Sequence, residues 1–175
     1  MAESENRAQA QIRTLRDQLI DAEARLAKVK KGRYGRIWVM PFSSLRREAR
    51  RLKKSGLFDG EWYLREYPDV AASGRSPAEH YLEEGYLCGY RPNPLFDSRW
   101  YLDRYDDVRR SGANPLLHYL QHGYSEGRNP GPAFETDFYL LSNPDVRSSG
   151  VNPLAHYLQY GRTEGRLPMR LKDNN

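Results

Sequence analysis

The chain repeats itself every 38 residues over most of its length, and this period limits the folds that it can adopt. The repeated units span residues 57–94, 95–132 and 133–170, and we refer to them as units 1, 2 and 3. A unit of this size is smaller than most domains that fold alone. Each unit must therefore be stabilised by packing against its neighbours, as in other repeat proteins.

Capping signals divide each unit into short helices. An acidic residue precedes the apolar triplet of the first helix (WYL, WYL or FYL), at Asp59, Asp97 and Glu135. Pro68 or Pro144 can open the second helix, which glycine ends at Gly74, Gly112 and Gly150. The last helix begins after Ser76, Asn114 or Asn152 and ends at Gly85, Gly123 or Gly161. We predict an all-α fold, with an N-terminal coiled-coil helix followed by three tandem 38-residue repeats of short helices.

Aromatic and aliphatic residues that recur between units form the predicted core. In unit 1 they are Phe58, Trp62, Tyr63, Leu64, Val70, Tyr81 and Leu82. Trp100 and Phe138 take the place of Trp62 in the later units. We also assign a structural role to His80, His118 and His156, each hydrogen-bonded to a helix end or a backbone carbonyl of its own unit. A row of histidines that binds metal or anions is the alternative.

Catalytic chemistry has little support in the repeats. No nucleophile recurs beside the histidines, and Asp69, Asp107 and Asp145 fit helix first turns better than a calcium loop. With Cys88 as its single cysteine, the chain cannot build a thiolate cluster. We therefore expect no enzyme activity, no catalytic residues, no bound metal and no cofactor.

Residues 1–31 carry a heptad pattern. Apolar residues alternate at steps of three and four: Ile12, Leu15, Leu19, Ala22, Leu26 and Val29. This spacing predicts a coiled coil between copies of the chain, and we expect a dimer because Ala22 allows close approach. Three heptads are few, so a single amphipathic helix folded against the repeats is the alternative.

Residues 32–56 form a basic amphipathic segment. Residues 1–56 hold 15 basic and 6 acidic groups (net +9), whereas residues 57–170 hold 12 and 16 (net −4). In the helix predicted after Pro41, Leu45, Ala49 and Leu52 share one face. Candidates for contact with an anionic surface are Trp38, Arg46, Arg47, Arg50, Arg51, Lys53 and Lys54. A solvated linker that docks against the repeats is the first interpretation of this segment, an anionic membrane surface the second, and nucleic acid the last.

Tyrosines that vary between units are the candidate binding residues. The chain has 21 Phe, Trp and Tyr residues, where a helical protein of low hydrophobicity could have used leucine. We expect four of them to be exposed and to stack on a sugar ring or anchor a partner: Tyr86, Tyr90, Tyr124 and Tyr160. The repeats are therefore predicted to bind a polysaccharide or a partner protein.

The repeated pattern resembles that of a known group of proteins. Its consensus, F-D-x-x-W-Y-L-x-x-x-P-D-V-x-x-S-G-x-N-P-L-x-H-Y-L-x-x-G-x-x-E-G-R-x-P, is similar to repeats in large bacterial glycosyltransferases of surface-polysaccharide synthesis. The heptads followed by IWVMPFSSLRREARRLKKSGLFD also resemble the order in those proteins. The resemblance implies context and not activity, because their transferase chemistry belongs to separate α/β domains that this sequence lacks. Unit 1 departs from the pattern, with Cys88 and Tyr90 where Glu126 and Arg128 stand in unit 2.

Together these features predict a non-catalytic oligomeric scaffold or binding module of a bacterial surface-polysaccharide system. The alternatives are a fragment of a multidomain glycosyltransferase without activity of its own, and a purely structural self-assembling protein. The sequence lacks an apolar stretch of about 18 residues and a signal-peptide pattern. We therefore expect a cytoplasmic location, with peripheral attachment to the inner membrane as an option. Residues 171–175 form a polar tail.

The heptad interpretation is tested by removing residues 1–30. If these residues hold copies of the chain together, particles of the truncated protein should contain fewer chains than particles of the full-length protein. Light scattering coupled to size-exclusion chromatography measures this difference directly. An unchanged number of chains per particle would contradict the coiled coil.

Overall fold

A computed structural model gives the fold, and it describes residues 42–171 of the chain. The predicted coiled coil, Trp38 and residues 172–175 lie outside the described residues. Within the described range the regular structure is helical, apart from one isolated β-bridge between Gly131 and Phe134. The all-α prediction is thereby confirmed for this part of the chain. No helix within residues 42–171 has the length and hydropathy needed to cross a bilayer.

Each unit has the same order of elements. Helix α1, Phe42–Lys54, precedes unit 1, which contains α2 (Gly60–Glu66), α3 (Pro68–Ser73), α4 (Pro77–His80) and a π-helical turn, π1 (Tyr81–Gly85). Unit 2 contains α5 (Ser98–Arg104), α6 (Asp106–Ser111), α7 (Pro115–His118) and π2 (Tyr119–Gly123). Unit 3 contains α8 (Thr136–Ser142), α9 (Pro144–Ser149), α10 (Pro153–His156) and π3 (Tyr157–Gly161). Equivalent elements begin 38 residues apart.

Most of the predicted caps are present. The Asp59 and Asp97 carboxylates each accept a hydrogen bond of 2.9 Å from the backbone N–H three residues later, whereas Glu135 makes no such bond. Asn114 and Asn152 cap α7 and α10, but the equivalent Ser76 makes no side-chain cap bond. The glycines that end α3, α6 and α9 are left-handed, with φ of 67°, 72° and 68° at Gly74, Gly112 and Gly150. Local sequence therefore sets the limits of these short helices.

One fully buried tyrosine stands at the centre of each unit. Tyr63, Tyr101 and Tyr139 are each 0% exposed, and each packs on a phenylalanine with ring centroids 5.2 to 5.4 Å apart. A second tyrosine of the unit meets the first edge-on. Such aromatic pairs stabilise by about 0.5–1.5 kcal/mol beyond the area that they bury. The other predicted core rings lie less deep, because Trp62, Trp100 and Phe138 are only partly buried.

The hydroxyl of the central tyrosine pairs with the recurrent histidine. The Tyr oxygen lies 3.0 Å from His80 Nδ1 in unit 1, 3.0 Å from His118 Nδ1 in unit 2 and 2.9 Å from His156 Nδ1 in unit 3. The histidines thus bond within their own unit, but their partner is a side-chain hydroxyl and not the helix end or carbonyl that the sequence suggested. This pair ties the first helix of the unit to the last, and we call it the Tyr–His pair.

A glycine makes room for the Tyr–His pair. A side chain at Gly85, Gly123 or Gly161 would collide with the hydroxyl of the central tyrosine. The backbone widens into a π-helical turn at the same place, where Tyr124 N donates to Tyr119 O five residues back. The glycine therefore does more than end the helix, which is the role that its position in the sequence indicated.

Neighbouring units meet through hydroxyl groups. The Tyr81 hydroxyl of unit 1 lies 3.0 Å from Ser98 Oγ, and the Tyr119 hydroxyl of unit 2 lies 3.4 Å from Thr136 Oγ1. The fully buried Asn93 adds a further link, because its Nδ2 donates to Leu57 O and its Oδ1 accepts from Phe96 N. These buried polar contacts fix how each unit is placed on the next.

Helix α1 packs against the units through its apolar face. Leu45, Ala49 and Leu52 are 3%, 4% and 0% exposed, and the helix contacts α4 of unit 1. Just beyond its end, Gly56 lies so close to Gln159 of unit 3 that a side chain there would collide with it. The helix and the turn after it therefore contact both the first and the last unit.

The glycine requirement predicts the effect of Gly123→Ala. In an ordinary helix interior this change stabilises, but here the new methyl group meets the Tyr101 hydroxyl. We expect a loss of about 1–3 kcal/mol in the free energy of unfolding, measured by urea denaturation. Tyr101→Phe removes the colliding oxygen, so the double variant should lose less than the sum of the single changes. Additive losses would contradict this account.

Candidate functional site

A cavity of about 510 Å³ lies where α1 meets units 1 and 2, and we call it the junction cavity. Leu82, Tyr86 and Leu117 supply apolar parts of its lining. Polar residues from α1 and unit 2 supply the rest, among them Ser44, Arg47, Glu48, Asn114, His118, Gln121 and His122. Both the volume and the combination of apolar walls with a few polar groups are typical of sites for small molecules.

Two polar atoms of the lining residues are buried without a hydrogen-bond partner. Asn114 is 4% exposed, and its Oδ1 accepts from Leu116 N and Leu117 N while its Nδ2 has no partner. Glu48 Oε2 is also buried without a hydrogen bond, with Arg51 Nη1 3.6 Å away. An unpaired buried polar atom costs about 1–3 kcal/mol.

Asn152 of unit 3 is the equivalent of Asn114, and it shows why the amide nitrogen of Asn114 has no partner. Asn152 caps α10 in the same way, and its Nδ2 is also buried without a partner. The unpaired amide is therefore a consequence of the N-cap geometry. Only Asn114 lines the junction cavity, where Glu48 of α1 adds an unpaired acceptor.

His118 is oriented by the Tyr–His pair. Its Nδ1 is engaged by the Tyr101 hydroxyl, and the residue lines the junction cavity. Burial raises the pKa of Tyr101 well above its ordinary range, so the hydroxyl keeps its proton. Burial, with the nearby Arg128 charge, lowers the pKa of His118. The imidazole is therefore held neutral near pH 7, a state that can bond a polar ligand and does not favour an anion.

A smaller cavity of about 200 Å³ lies between units 2 and 3. Tyr124, the equivalent of Tyr86, lines one side of it, and Gly150 and Val151 line the other. In unit 2 the equivalents of Gly150 and Val151 are Gly112 and Ala113, and both of these line the junction cavity. Each junction between units thus leaves a recess, and at the first junction α1 adds a polar wall.

The candidate tyrosines lie in different environments. The expectation of exposure is wrong for Tyr86, which is 5% exposed and packs at a tilt against Tyr81 of the core. Tyr90 is partly buried, stacked on Tyr67 with ring centroids 3.9 Å apart, and Tyr124 is also partly buried. Only Tyr160 is largely exposed, at 56%. The candidates therefore do not form one exposed surface, but Tyr86 and Tyr124 each line a recess.

The recurrent aspartates each bind a side chain from the end of the same unit. Arg128 makes two hydrogen bonds to the Asp107 carboxylate, at 2.9 and 2.8 Å, and these lower the pKa of Asp107 to about 2. Arg166 pairs with Asp145 in unit 3. In unit 1, where tyrosine replaces arginine, the Tyr90 hydroxyl donates to Asp69 at 3.2 Å. The described residues contain no group of three or more His, Cys, Asp or Glu side chains placed to hold a metal ion.

The basic candidates of α1 lie on its outer face. Their side chains are exposed: Arg46, Arg47, Arg50, Arg51, Lys53 and Lys54. The apolar face of the same helix is buried against the units, so it is not available to enter a membrane in this arrangement. Any contact of α1 with an anionic surface would therefore be made by charged groups alone.

The buried histidines predict a pH dependence of stability. Burial lowers the pKa of His80 and His118 below the ordinary value of 6.5. As the pH falls below 6.5, the unfolded chain takes up protons before the folded chain does. The stability from these groups is therefore full above that pH and decreases as the pH falls through the window below it. Urea denaturation at a series of pH values measures this decrease.

The matched comparison for this prediction is the double variant His80→Gln and His118→Gln. Glutamine does not titrate, so the free energy of unfolding should depend less on pH between about pH 6.5 and about pH 5. A native protein that becomes more stable as the pH falls through this window would contradict the account.

Comparison with known proteins gives no further assignment. No family model matches the chain, and no curated protein or solved structure matches it. The site is therefore defined by its own geometry, in which α1 and units 1 and 2 line one cavity with both apolar and polar side chains.

Proposed function

We propose that the chain is a non-catalytic, oligomeric binding module whose junction cavity takes a saccharide. The observation that carries this proposal is the junction cavity itself, whose lining combines apolar residues of units 1 and 2 with polar side chains of α1 and unit 2. In this proposal the three units are tandem repeats that act as a rigid frame, and residues 1–31 set the number of chains. The surrounding system is bacterial surface-polysaccharide synthesis, as the repeated pattern suggests.

The chemistry of the lining suits a sugar ring. The hydroxyl groups of a sugar can hydrogen-bond with polar side chains of the lining, among them Ser44, Glu48 and Asn114. The C–H faces of a sugar ring are apolar and can pack on Leu82, Tyr86 and Leu117. Gln121 and His122 offer further polar groups in the same lining. A polyol with an apolar face satisfies all of these groups, whereas a purely apolar ligand leaves the polar atoms unpaired.

We propose that the chain is non-catalytic because its recurrent polar side chains already bind one another. Each recurrent histidine bonds a tyrosine hydroxyl, and Asp107 and Asp145 are held by arginine. These residues have structural work in every unit. The three-fold recurrence also suits a frame better than a catalytic centre, which needs one set of groups.

A protein partner is the second candidate ligand. At the end of unit 3, the hydrophobic residues Tyr160, Leu167 and Leu171 are 56%, 46% and 76% exposed. Exposed hydrophobic side chains of this kind can mark a surface that another protein covers. This candidate keeps open the interpretation of the chain as part of a larger glycosyltransferase, or as a structural self-assembling protein.

Titration calorimetry with purified bacterial surface polysaccharides and their oligosaccharides tests the saccharide site. Asn114→Ser removes the Nδ2 donor and places at this position the residue type that precedes the equivalent helix of unit 1, Ser76. We expect this variant and Glu48→Gln to bind about three- to tenfold more weakly than the native chain to any saccharide that the native chain binds. The loss should appear without a change of fold, which circular dichroism monitors.

Asn152→Ser is the matched control for this experiment. It makes the same chemical change at the equivalent cap of unit 3, at a residue that does not line the junction cavity. Saccharide affinity should therefore stay at the native level. Equal losses of saccharide affinity in Asn114→Ser and Asn152→Ser would contradict the proposal, and so would the absence of binding to any saccharide.

A further inference from the structure

The outer face of α1 carries basic groups without an exposed acid. Successive residues of a helix are turned by about 100°. On this geometry the six basic residues of α1 fall within an arc of about 160° that excludes Leu45, Ala49 and Leu52. Glu48 is the only acidic residue of the helix, and its side chain is turned inward, with 15% of its area exposed. We call this array the basic face of α1.

The fold holds the basic face in one orientation. Because the opposite side of α1 is buried against the units, the helix cannot rotate without exposing Leu45 and Leu52. Arg47 and Arg51 lie 3.4 and 3.6 Å from the Glu48 carboxylate, so part of their charge is compensated. Arg50, Lys53 and Lys54 make no ion pair with another residue in the range 42–171. The uncompensated charge therefore lies at Arg50 and the C-terminal end of the helix.

We infer that the basic face of α1 binds the headgroups of an anionic lipid bilayer. Parallel exposed cations on a fixed helix can all reach a planar anionic surface at the same time. The units carry a net charge of −4 over residues 57–170, so an anionic surface would attract α1 and repel the rest. This asymmetry orients the protein with α1 towards the bilayer.

The sequence before α1 favours a bilayer over nucleic acid. Residues 37–42 read IWVMPF, and tryptophan beside a basic segment is typical of proteins that lie at a membrane interface. The exposed residues of α1 are arginine, lysine and Ser43, which can contact phosphate groups of either surface, so the preference for a bilayer rests on the tryptophan. Because the apolar face of α1 is already buried, the binding is electrostatic and falls steeply as salt is added.

Co-sedimentation of the full chain with vesicles tests this inference. One set of vesicles is equimolar phosphatidylcholine and phosphatidylglycerol, and the other is phosphatidylcholine alone. The test variant is Arg50→Glu, Lys53→Glu and Lys54→Glu, which leaves the cavity-lining Arg47 in place. We expect the native chain to bind only the anionic vesicles, and the test variant to bind them at least about tenfold more weakly.

The control variant makes the same change of charge elsewhere. Arg65→Glu, Arg91→Glu and Arg104→Glu reverse three exposed arginines of units 1 and 2. This variant should keep vesicle binding within about twofold of the native chain, because these residues lie outside the basic face. Thermal unfolding followed by circular dichroism establishes that both variants are folded.

Several results would overturn the inference. They are absence of binding to anionic vesicles at low salt, equal losses in the test and control variants, and binding to vesicles that salt does not weaken. Binding to a short DNA duplex without binding to anionic vesicles would also overturn it and would assign the basic face to nucleic acid. The inference stands independently of the saccharide site, because the test variant leaves every residue of the junction cavity unchanged.

Discussion

The buried Tyr–His pair is the interaction on which the rest of the structure depends. A buried tyrosine hydroxyl needs a hydrogen-bond partner, and the imidazole supplies it within each unit. The same hydroxyl occupies the space of a side chain at Gly85, Gly123 or Gly161, so the backbone there must be glycine. The last helix widens into a π-helical turn around it. Three very short helices are in this way held as one unit, although none would be stable alone.

The junctions between units follow from this arrangement. The π-helical turn begins with the second tyrosine, and its hydroxyl reaches Ser98 or Thr136 in the next unit. Units placed in this way leave a recess beside Tyr86 and beside Tyr124. Helix α1 covers the first recess from one side and turns Glu48 towards it, so that a packing gap becomes a cavity with polar groups.

Helix α1 therefore serves two surfaces at once. Its inner side joins the units and lines the junction cavity, while its outer side presents Arg50, Lys53 and Lys54. The lipid contact proposed for the outer side and the saccharide proposed for the inner side would both be made by residues of this one short helix. The proposed lipid and saccharide sites are thus neighbours in space, and each can be tested without altering the residues of the other.

The sequence by itself determined the helical class, the 38-residue period, most of the caps and the apolar side of α1, because these depend on spacing and on local backbone chemistry. Only the tertiary structure decided that His118 pairs with Tyr101, that Tyr86 is buried, and that Gly56, just after α1, lies beside Gln159 of unit 3. It also decided where the cavity lies. The physical reason is that a repeat period fixes which residues are equivalent, but not which distant side chains meet when the units pack.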